Sequence, residues 1–208
     1  MASSYKLTYF PTRGRAECIR FILSYGNLAF EDVRVPYEEW PALKPQTPFG
    51  FLPMLEHEGK KAHQSTAICR YLAKKVNLGG KDDWEDLEID AAVDSIHDAI
   101  LKVSALRAET DEAKRKENME LILKEILPDN LGRFEKLTQK NNGYFALGRL
   151  TWADLFFVSL LTGMEQWAGA DALKNFPNLL NLKKKVLENP GIKNWVEKRP
   201  EDIPRPTK

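Results

Sequence analysis

The chain predicts an α/β domain followed by an all-helical one. The hydrophobic period changes roughly every ten residues up to Val76, and from Trp84 onward it is helical to the end. Between the two regimes lies Asn77-Leu78-Gly79-Gly80-Lys81-Asp82-Asp83, a glycine- and charge-rich stretch of the kind that joins domains. The expected organisation is therefore residues 1–78, a linker at 79–83, and residues 84–208. A length of 208 residues suits one domain or two small ones.

Tyr5-Lys6-Leu7-Thr8-Tyr9-Phe10 alternates as a strand does, and Pro11 and Gly14 punctuate the turn after it. From Arg15 to Tyr25, Cys18, Ile22 and Tyr25 form a helical stripe with Ile19 and Phe21 beside it, and Gly26 is expected to end the helix as a C-cap glycine. Phe30 to Val35 reads as a second strand, which makes a right-handed parallel unit under the crossover rule. A short irregular helix follows. Leu52-Pro53-Met54-Leu55-Glu56 and Lys60-Lys61-Ala62 flank the turn signal Glu58-Gly59 and form an antiparallel hairpin, with Pro53 among its first residues. Ser65 then precedes the apolar positions Ile68, Tyr71, Leu72 and Val76, a helix with a hydroxyl N-cap.

In the second region Ile89, Val93, Ile96, Ile100 and Val103 recur at spacings of four and three, and Met119, Ile122 and Ile126 repeat the pattern, as bundle helices require. Pro128 falls inside the second pattern and should bend it, because proline removes a donor and crowds the preceding turn. Thr151 and Asp154, bracketed by Leu150 and Leu155, read as a capping box with a hydrophobic staple, a structural device whose hydroxyl is worth about 1 kcal/mol. The proline-rich tail from Arg199 to Lys208 is expected to be irregular.

Composition excludes several classes of function. Thirty-one basic and thirty acidic side chains leave +1, so no large field draws the chain to nucleic acid or anionic lipid. The apolar run Leu155-Phe156-Phe157-Val158, continued by Leu160 and Leu161, falls well short of the roughly 18 residues of a membrane span. Met1 to Lys6 lacks the features of a secretory signal, so a cytoplasmic location is expected. Cys18 and Cys69, the two cysteines, lie in apolar helical patterns and suit neither a disulfide framework nor a metal site; no metal is expected.

Four places have residues suited to chemistry. A cis peptide at Leu52-Pro53 costs only about 0.5–1 kcal/mol and would present the Leu52 backbone to an extended peptide, although spacing alone favours trans. Gln64-Ser65 stands where a strand hands over to a helix, so its hydroxyl and the first free amides suit a carboxylate, or Ser65 is simply the N-cap. Trp40 and Lys44, four apart, combine an indole N–H with an ammonium for a second carboxylate, or form a solvated pair. Tyr9 and Arg15 frame the first strand-to-helix turn, the edge at which open α/β sheets present ligands. A tyrosine there packs the core, or donates to a thiolate. Lowering a thiol by two units needs about 2.7 kcal/mol, and one hydrogen bond to a charged group supplies about 1.5–3 kcal/mol.

Across nearly the whole chain these features, in order, resemble the sigma class of the cytosolic glutathione transferases, which includes haematopoietic-type prostaglandin D synthases and insect sigma enzymes. The resemblance rests on Tyr5-Lys6-Leu7-Thr8-Tyr9-Phe10, Arg13-Gly14-Arg15-Ala16-Glu17, Glu39-Trp40-Pro41, Thr47-Pro48-Phe49-Gly50, Leu52-Pro53, His63-Gln64-Ser65, Val93-Asp94, Leu150-Thr151-Trp152-Ala153-Asp154 and Asn194-Trp195. It implies a thioredoxin-like N-terminal domain that holds glutathione, a helical C-terminal domain that completes the acceptor pocket, and a two-fold homodimer. Tyr9 matches the catalytic tyrosine that hydrogen-bonds the glutathione sulfur, and Arg15 lies next to that sulfur. Leu52 matches the residue before cis-Pro53, with Phe51 beside it; Gln64 and Ser65 match the grip on the γ-glutamyl carboxylate, and Trp40 and Lys44 that on the glycyl carboxylate. Asp98 matches an acid that reaches the γ-glutamyl amine from the partner subunit, while Phe10, Arg15, Ile100, Ser104 and Ala105 match the acceptor pocket.

The activity implied is conjugation of the glutathione thiolate to small hydrophobic electrophiles such as lipid-peroxidation alkenals, with hydroperoxide reduction. Glutathione is the co-substrate, with no bound cofactor. Alternatives are isomerisation of prostaglandin H2 to D2, a crystallin-like structural role, or ligand storage. The chain departs from the prostaglandin-synthase pattern at Ala105, where the vertebrate enzymes have a pocket tryptophan, and at Phe51, where they have lysine. His97, beside Asp94 and Asp98, alters the acidic cluster that binds divalent metal in those enzymes.

Overall fold

The structure, a computed structural model, describes residues 5–204; the expectations for residues 1–4 and 205–208 lie outside it. Tyr5–Tyr9 forms β1. A 3-10 turn at Gly14–Ala16 leads into α1, Glu17–Tyr25, whose Cys18, Ile19, Phe21, Ile22 and Leu23 are buried. β2, Phe30–Arg34, runs parallel to β1 with Tyr5 opposite Phe30 and Tyr9 opposite Arg34. Gly26 does not take the expected left-handed C-cap conformation: its φ is −80°, and Asn27 supplies the turn at +50°. Glycine is needed there for space instead, since a Cβ would lie 2.2 Å from Cγ1 of Val76.

The irregular helix is α2, Trp40–Leu43, continued by a 3-10 turn at Lys44–Gln46. The hairpin pairs β3, Met54–His57, with β4, Lys60–His63. Its two-residue turn has φ of +50° at Glu58 and +74° at Gly59, the double left-handed pattern that matches strand twist. Pro53 falls just before β3, not within it; proline has no N–H for the ladder. The sheet order is β2-β1-β3-β4. α3, Ser65–Lys75, buries Ile68, Cys69, Leu72 and Ala73, whereas Tyr71, expected on that stripe, is exposed.

α4 spans Asp83–Arg107, and Asp82 caps it by accepting the N–H groups of Trp84 at 3.0 Å and Glu85 at 2.9 Å. α5, Glu112–Leu121, runs through a π-type segment at Ile122–Ile126 into α6, Leu127–Lys140. The wide segment ends just before Pro128, where the missing donor and the ring strain an ordinary turn. α7, Trp152–Ala168, is the most buried helix of this region, with every residue from Trp152 to Ser159 inside.

The capping box forms at its start. Asp154 Oδ2 accepts the Thr151 N–H at 2.7 Å and the Thr151 hydroxyl at 3.2 Å, and Oδ1 accepts the Phe145 N–H at 2.8 Å. Burial pushes the Asp154 carboxyl up to about 7, against the opposite pull of these donors. α8 spans Pro177–Leu187 and α9 Pro190–Lys198, after which residues 200–204 are irregular. No helix among the described residues is long and apolar enough to cross a membrane.

The described chain forms two compact units, one up to Leu78 and rejoined from Leu187 onward, the other Gly79–Val186. The last segment, expected within the helical domain, clusters with the first unit. α9 belongs there because its contacts are with the first unit's elements. Ile192 is buried, the Trp195 ring lies 5.5 Å from that of Phe30, and Gly191 meets α1 so closely that a Cβ would stand 2.0 Å from Ser24 O.

Candidate active site

Strand register defines one end of the sheet. Val33 pairs with Thr8, Thr8 with Met54 and Met54 with His63, so these four form one row across the sheet. One step beyond the row come Arg34, Tyr9, Pro53 and Gln64. This is the carboxyl end of the parallel pair, where open sheets leave a crevice for ligands.

Tyr9 is buried to 9 % relative exposure, and its hydroxyl oxygen accepts the N–H of Arg15 at 3.2 Å. That bond uses a lone pair of the phenol and leaves its own proton to donate elsewhere. Gly14 makes the approach possible: with φ of +40° it passes so near the phenol that a Cβ would lie 2.7 Å from Oη. The Arg15 side chain is exposed at the first turn of helical structure.

An aromatic cluster extends from this point. The Phe10 ring lies 5.6 Å from that of Tyr9, 5.3 Å from Tyr37 and 5.3 Å from Trp40. Trp40 and Lys44 therefore sit where α2 abuts the sheet end, Trp40 half-buried and Lys44 exposed. Among the described residues neither the indole N–H nor the ammonium has a hydrogen-bond partner. The Lys44 stem lies over Gly50, whose φ is +67° and whose Cβ, if present, would stand 3.2 Å from Lys44 Cε.

The Leu52–Pro53 peptide is cis, the form the family resemblance implies and not the trans form that spacing alone favours. Neither the N–H nor the C=O of Leu52 is hydrogen-bonded within the described residues. Phe51 is exposed, and Phe49 stacks on His63 at 4.7 Å, which ties this loop to the end of β4. Ser65 is not the N-cap. It is the first residue of α3, and Gln64 occupies the cap position with φ of +73° and no side-chain capping bond. No acidic residue stands in the first turn, so the amides of Ser65, Thr66 and Ala67 and the helix dipole remain uncompensated by the chain itself.

Tyr9, Phe10, Arg15, Trp40, Lys44, Phe51, Leu52, Pro53, Gln64 and Ser65 thus all belong to the first unit and surround its sheet end. Asp98, Ile100, Ser104 and Ala105 belong to the second unit, on α4; Ile100 is half-buried and the other three are exposed. Two contributors escaped the sequence reading. Gly14 read as turn punctuation and as part of the Arg13-to-Glu17 motif, with no role at the phenol, and Tyr37 carried no signal, since its stacking on Phe10 is a tertiary contact. Among the described residues no group of three His, Cys, Asp or Glu side chains is placed to hold a metal ion.

Comparison with known proteins identifies the family. The glutathione S-transferase N-terminal domain matches residues 5–74, and the glutathione S-transferase C-terminal domain matches residues 97–199. A glutathione S-transferase of Anopheles gambiae is 44 % identical over 196 residues, 94 % of this chain and 97 % of its own. The structure of prostaglandin synthase D of Nilaparvata lugens is similar at a TM-score of 0.90 and 42 % identity, with 97 % of this chain and 100 % of the other covered. A monomeric glutathione S-transferase of the hookworm Necator americanus follows at 0.85 and 34 %, with 95 % and 98 % covered.

Proposed function

Since this chain belongs to the glutathione S-transferase family and is itself such a transferase, we propose that the Tyr9 hydroxyl activates the glutathione sulfur for attack on small hydrophobic electrophiles. The observation that carries the reading is the 3.2 Å bond from the Arg15 N–H to Tyr9 Oη. With its oxygen already accepting, the phenol is a better donor, and its proton is free for a thiolate. One such charge-assisted bond is worth about 1.5–3 kcal/mol, enough to move a thiol by one to two units.

Glutathione lies, in this reading, along the carboxyl end of the sheet. The unpaired backbone of Leu52 takes the cysteinyl segment as a short added strand, with Phe51 and Pro53 flanking it. Ser65, Gln64 and the free amides of α3 hold the γ-glutamyl carboxylate, and Trp40 and Lys44 hold the glycyl carboxylate. Asp98 of a second copy faces the γ-glutamyl amine, which makes the working form a homodimer.

The thiolate adds to the β-carbon of an alkenal, and the resulting enolate takes a proton from water; with an aryl halide the halide leaves. With a hydroperoxide, the sulfur takes one oxygen and releases the alcohol, and a second glutathione yields the disulfide and water. Within the first unit Phe10 offers an apolar surface to the acceptor, and Arg15 adds positive potential beside the sulfur. Glutathione enters as substrate, no further cofactor takes part, and the enzyme works in the cytosol. The likeness to the Nilaparvata lugens prostaglandin synthase D favours a second reading, isomerisation of a prostaglandin endoperoxide, to which Ala105 and Phe51 are less suited.

Steady-state assays with an aryl halide, a hydroxyalkenal and cumene hydroperoxide test this. Tyr9→Phe is expected to cut kcat/KM by about 10- to 100-fold while KM for glutathione stays within about twofold. Equal kcat/KM in the two proteins would refute the assignment.

A further inference from the structure

Beyond α9 the chain returns across the turn that joins β1 to α1. The Arg13 N–H donates to Asp202 Oδ1 at 2.7 Å, and Arg13 Nε donates to Oδ2 at 2.8 Å. Next along, the Ile203 N–H donates to Pro11 O at 2.8 Å, and the Tyr37 hydroxyl donates to Ile203 O at 3.4 Å. The Arg13 and Asp202 side chains are 16 % and 24 % exposed, so this ion pair is largely shielded from water.

The same turn is held from the protein interior. Fully buried Arg20 donates through Nη1 to Thr12 O at 3.0 Å and Arg13 O at 3.3 Å. Arg20 is itself fixed by Glu17 at 3.1 Å and by Asp32 at 2.8 Å, and Glu17 also accepts from Trp195 Nε1 at 2.9 Å and from Arg199. Residues 11–13 are thus clamped between the buried guanidinium and the C-terminal segment. The residues they deliver next are Gly14 and Arg15, whose N–H meets the Tyr9 hydroxyl. Within the 3-10 turn itself the Ala16 N–H donates to Arg13 O at 3.2 Å and the Glu17 N–H to Gly14 O, so the position of Arg13 sets that of the turn.

We infer that Asp202 is a positioning residue for thiolate formation: by holding Arg13 it keeps the Arg15 N–H aimed at Tyr9 Oη. The inference rests on the role given to Tyr9 above. Asp202 touches no substrate; it acts through Arg13, the turn and the phenol. Misalignment of that N–H lets the phenol rotate or donate elsewhere, and the glutathione thiol then ionises at higher pH.

The test uses the full chain as wild type, Asp202→Ala, Asp202→Asn and Tyr9→Phe. The pH midpoint of bound glutathione is read from thiolate absorbance, beside kcat, KM for glutathione and the thermal midpoint. Asp202→Ala is expected to raise the thiol midpoint by about half a unit, equivalent to about threefold less thiolate and threefold lower kcat below that midpoint, with KM for glutathione unchanged. Asp202→Asn, which keeps an oxygen for the Arg13 N–H, recovers part of the shift. A wild-type midpoint in Asp202→Ala, with Tyr9→Phe still shifted, overturns the inference and leaves Tyr9 intact, whatever happens to the thermal midpoint. Equal midpoints in all four proteins overturn both.

Discussion

Gly14 and Gln64 both hold left-handed backbone at the sheet's carboxyl end, with φ of +40° and +73°, yet only the first is glycine. At Gly14 the reason is steric, because a side chain would collide with the Tyr9 hydroxyl. At Gln64 a long side chain is kept where it costs about 1–3 kcal/mol in backbone strain, a pattern typical of residues retained for a ligand. Gln64→Gly is therefore expected to leave thermal stability unchanged or slightly higher. It should raise KM for glutathione about tenfold through loss of a hydrogen bond to a charged group; an unchanged KM would remove Gln64 from the site. Tyr9, Arg15, Gln64 and Ser65 could be singled out in the sequence as polar side chains at strand-to-helix junctions, whereas Phe51, Asp98, Ile100, Ser104 and Ala105 were named only through the family resemblance. What Ser65 does there could not, because a hydroxyl that caps a helix and one that waits for a carboxylate obey the same preference. The backbone angles at Gln64 take Ser65 out of the cap position, and the carboxylate role is the one proposed for it.

Among the elements, α7 starts on a single buried side chain, Asp154. Asp154→Ala strands the Phe145 and Thr151 N–H groups inside the protein and is expected to cost about 2–4 kcal/mol, as chemical denaturation would show. The pH dependence follows from the raised pKa. Between the ordinary value of 3.8 and about 7 the folded state holds a proton on Asp154 that the unfolded state has lost. This contribution to stability is full below the lower value, declines as pH rises through the window and is flat above about 7. The difference in stability between wild type and Asp154→Asn, followed by denaturation from pH 4 to 8, should carry that slope; a difference independent of pH would contradict it. The capping box, the hairpin and the strand–helix–strand unit were legible because each rests on local chemistry. The π-type segment before Pro128, the use of Gly26 for clearance and the return of α9 to the first unit were not, since neighbours distant in sequence decide them.

At the scale of the whole molecule, a formal charge of +1 offers no long-range steering, so the proposed site relies on the few placed donors around the sheet end to recognise glutathione's carboxylates. The role proposed for Asp98 requires a second copy. Sedimentation should show a dimer, and Asp98→Asn should raise KM for glutathione several-fold; a monomer with an unaltered KM in the variant would confine the site to one chain. The Necator americanus relative, described as monomeric, makes this measurement informative. The most direct measurement of all is a crystal structure with glutathione bound. Its sulfur should lie within about 3.5 Å of Tyr9 Oη, with the cysteinyl backbone against Leu52 and the γ-glutamyl carboxylate at Ser65. A tripeptide seated elsewhere, or a sulfur beyond hydrogen-bond reach of that phenol, would contradict the chemistry assigned to this enzyme.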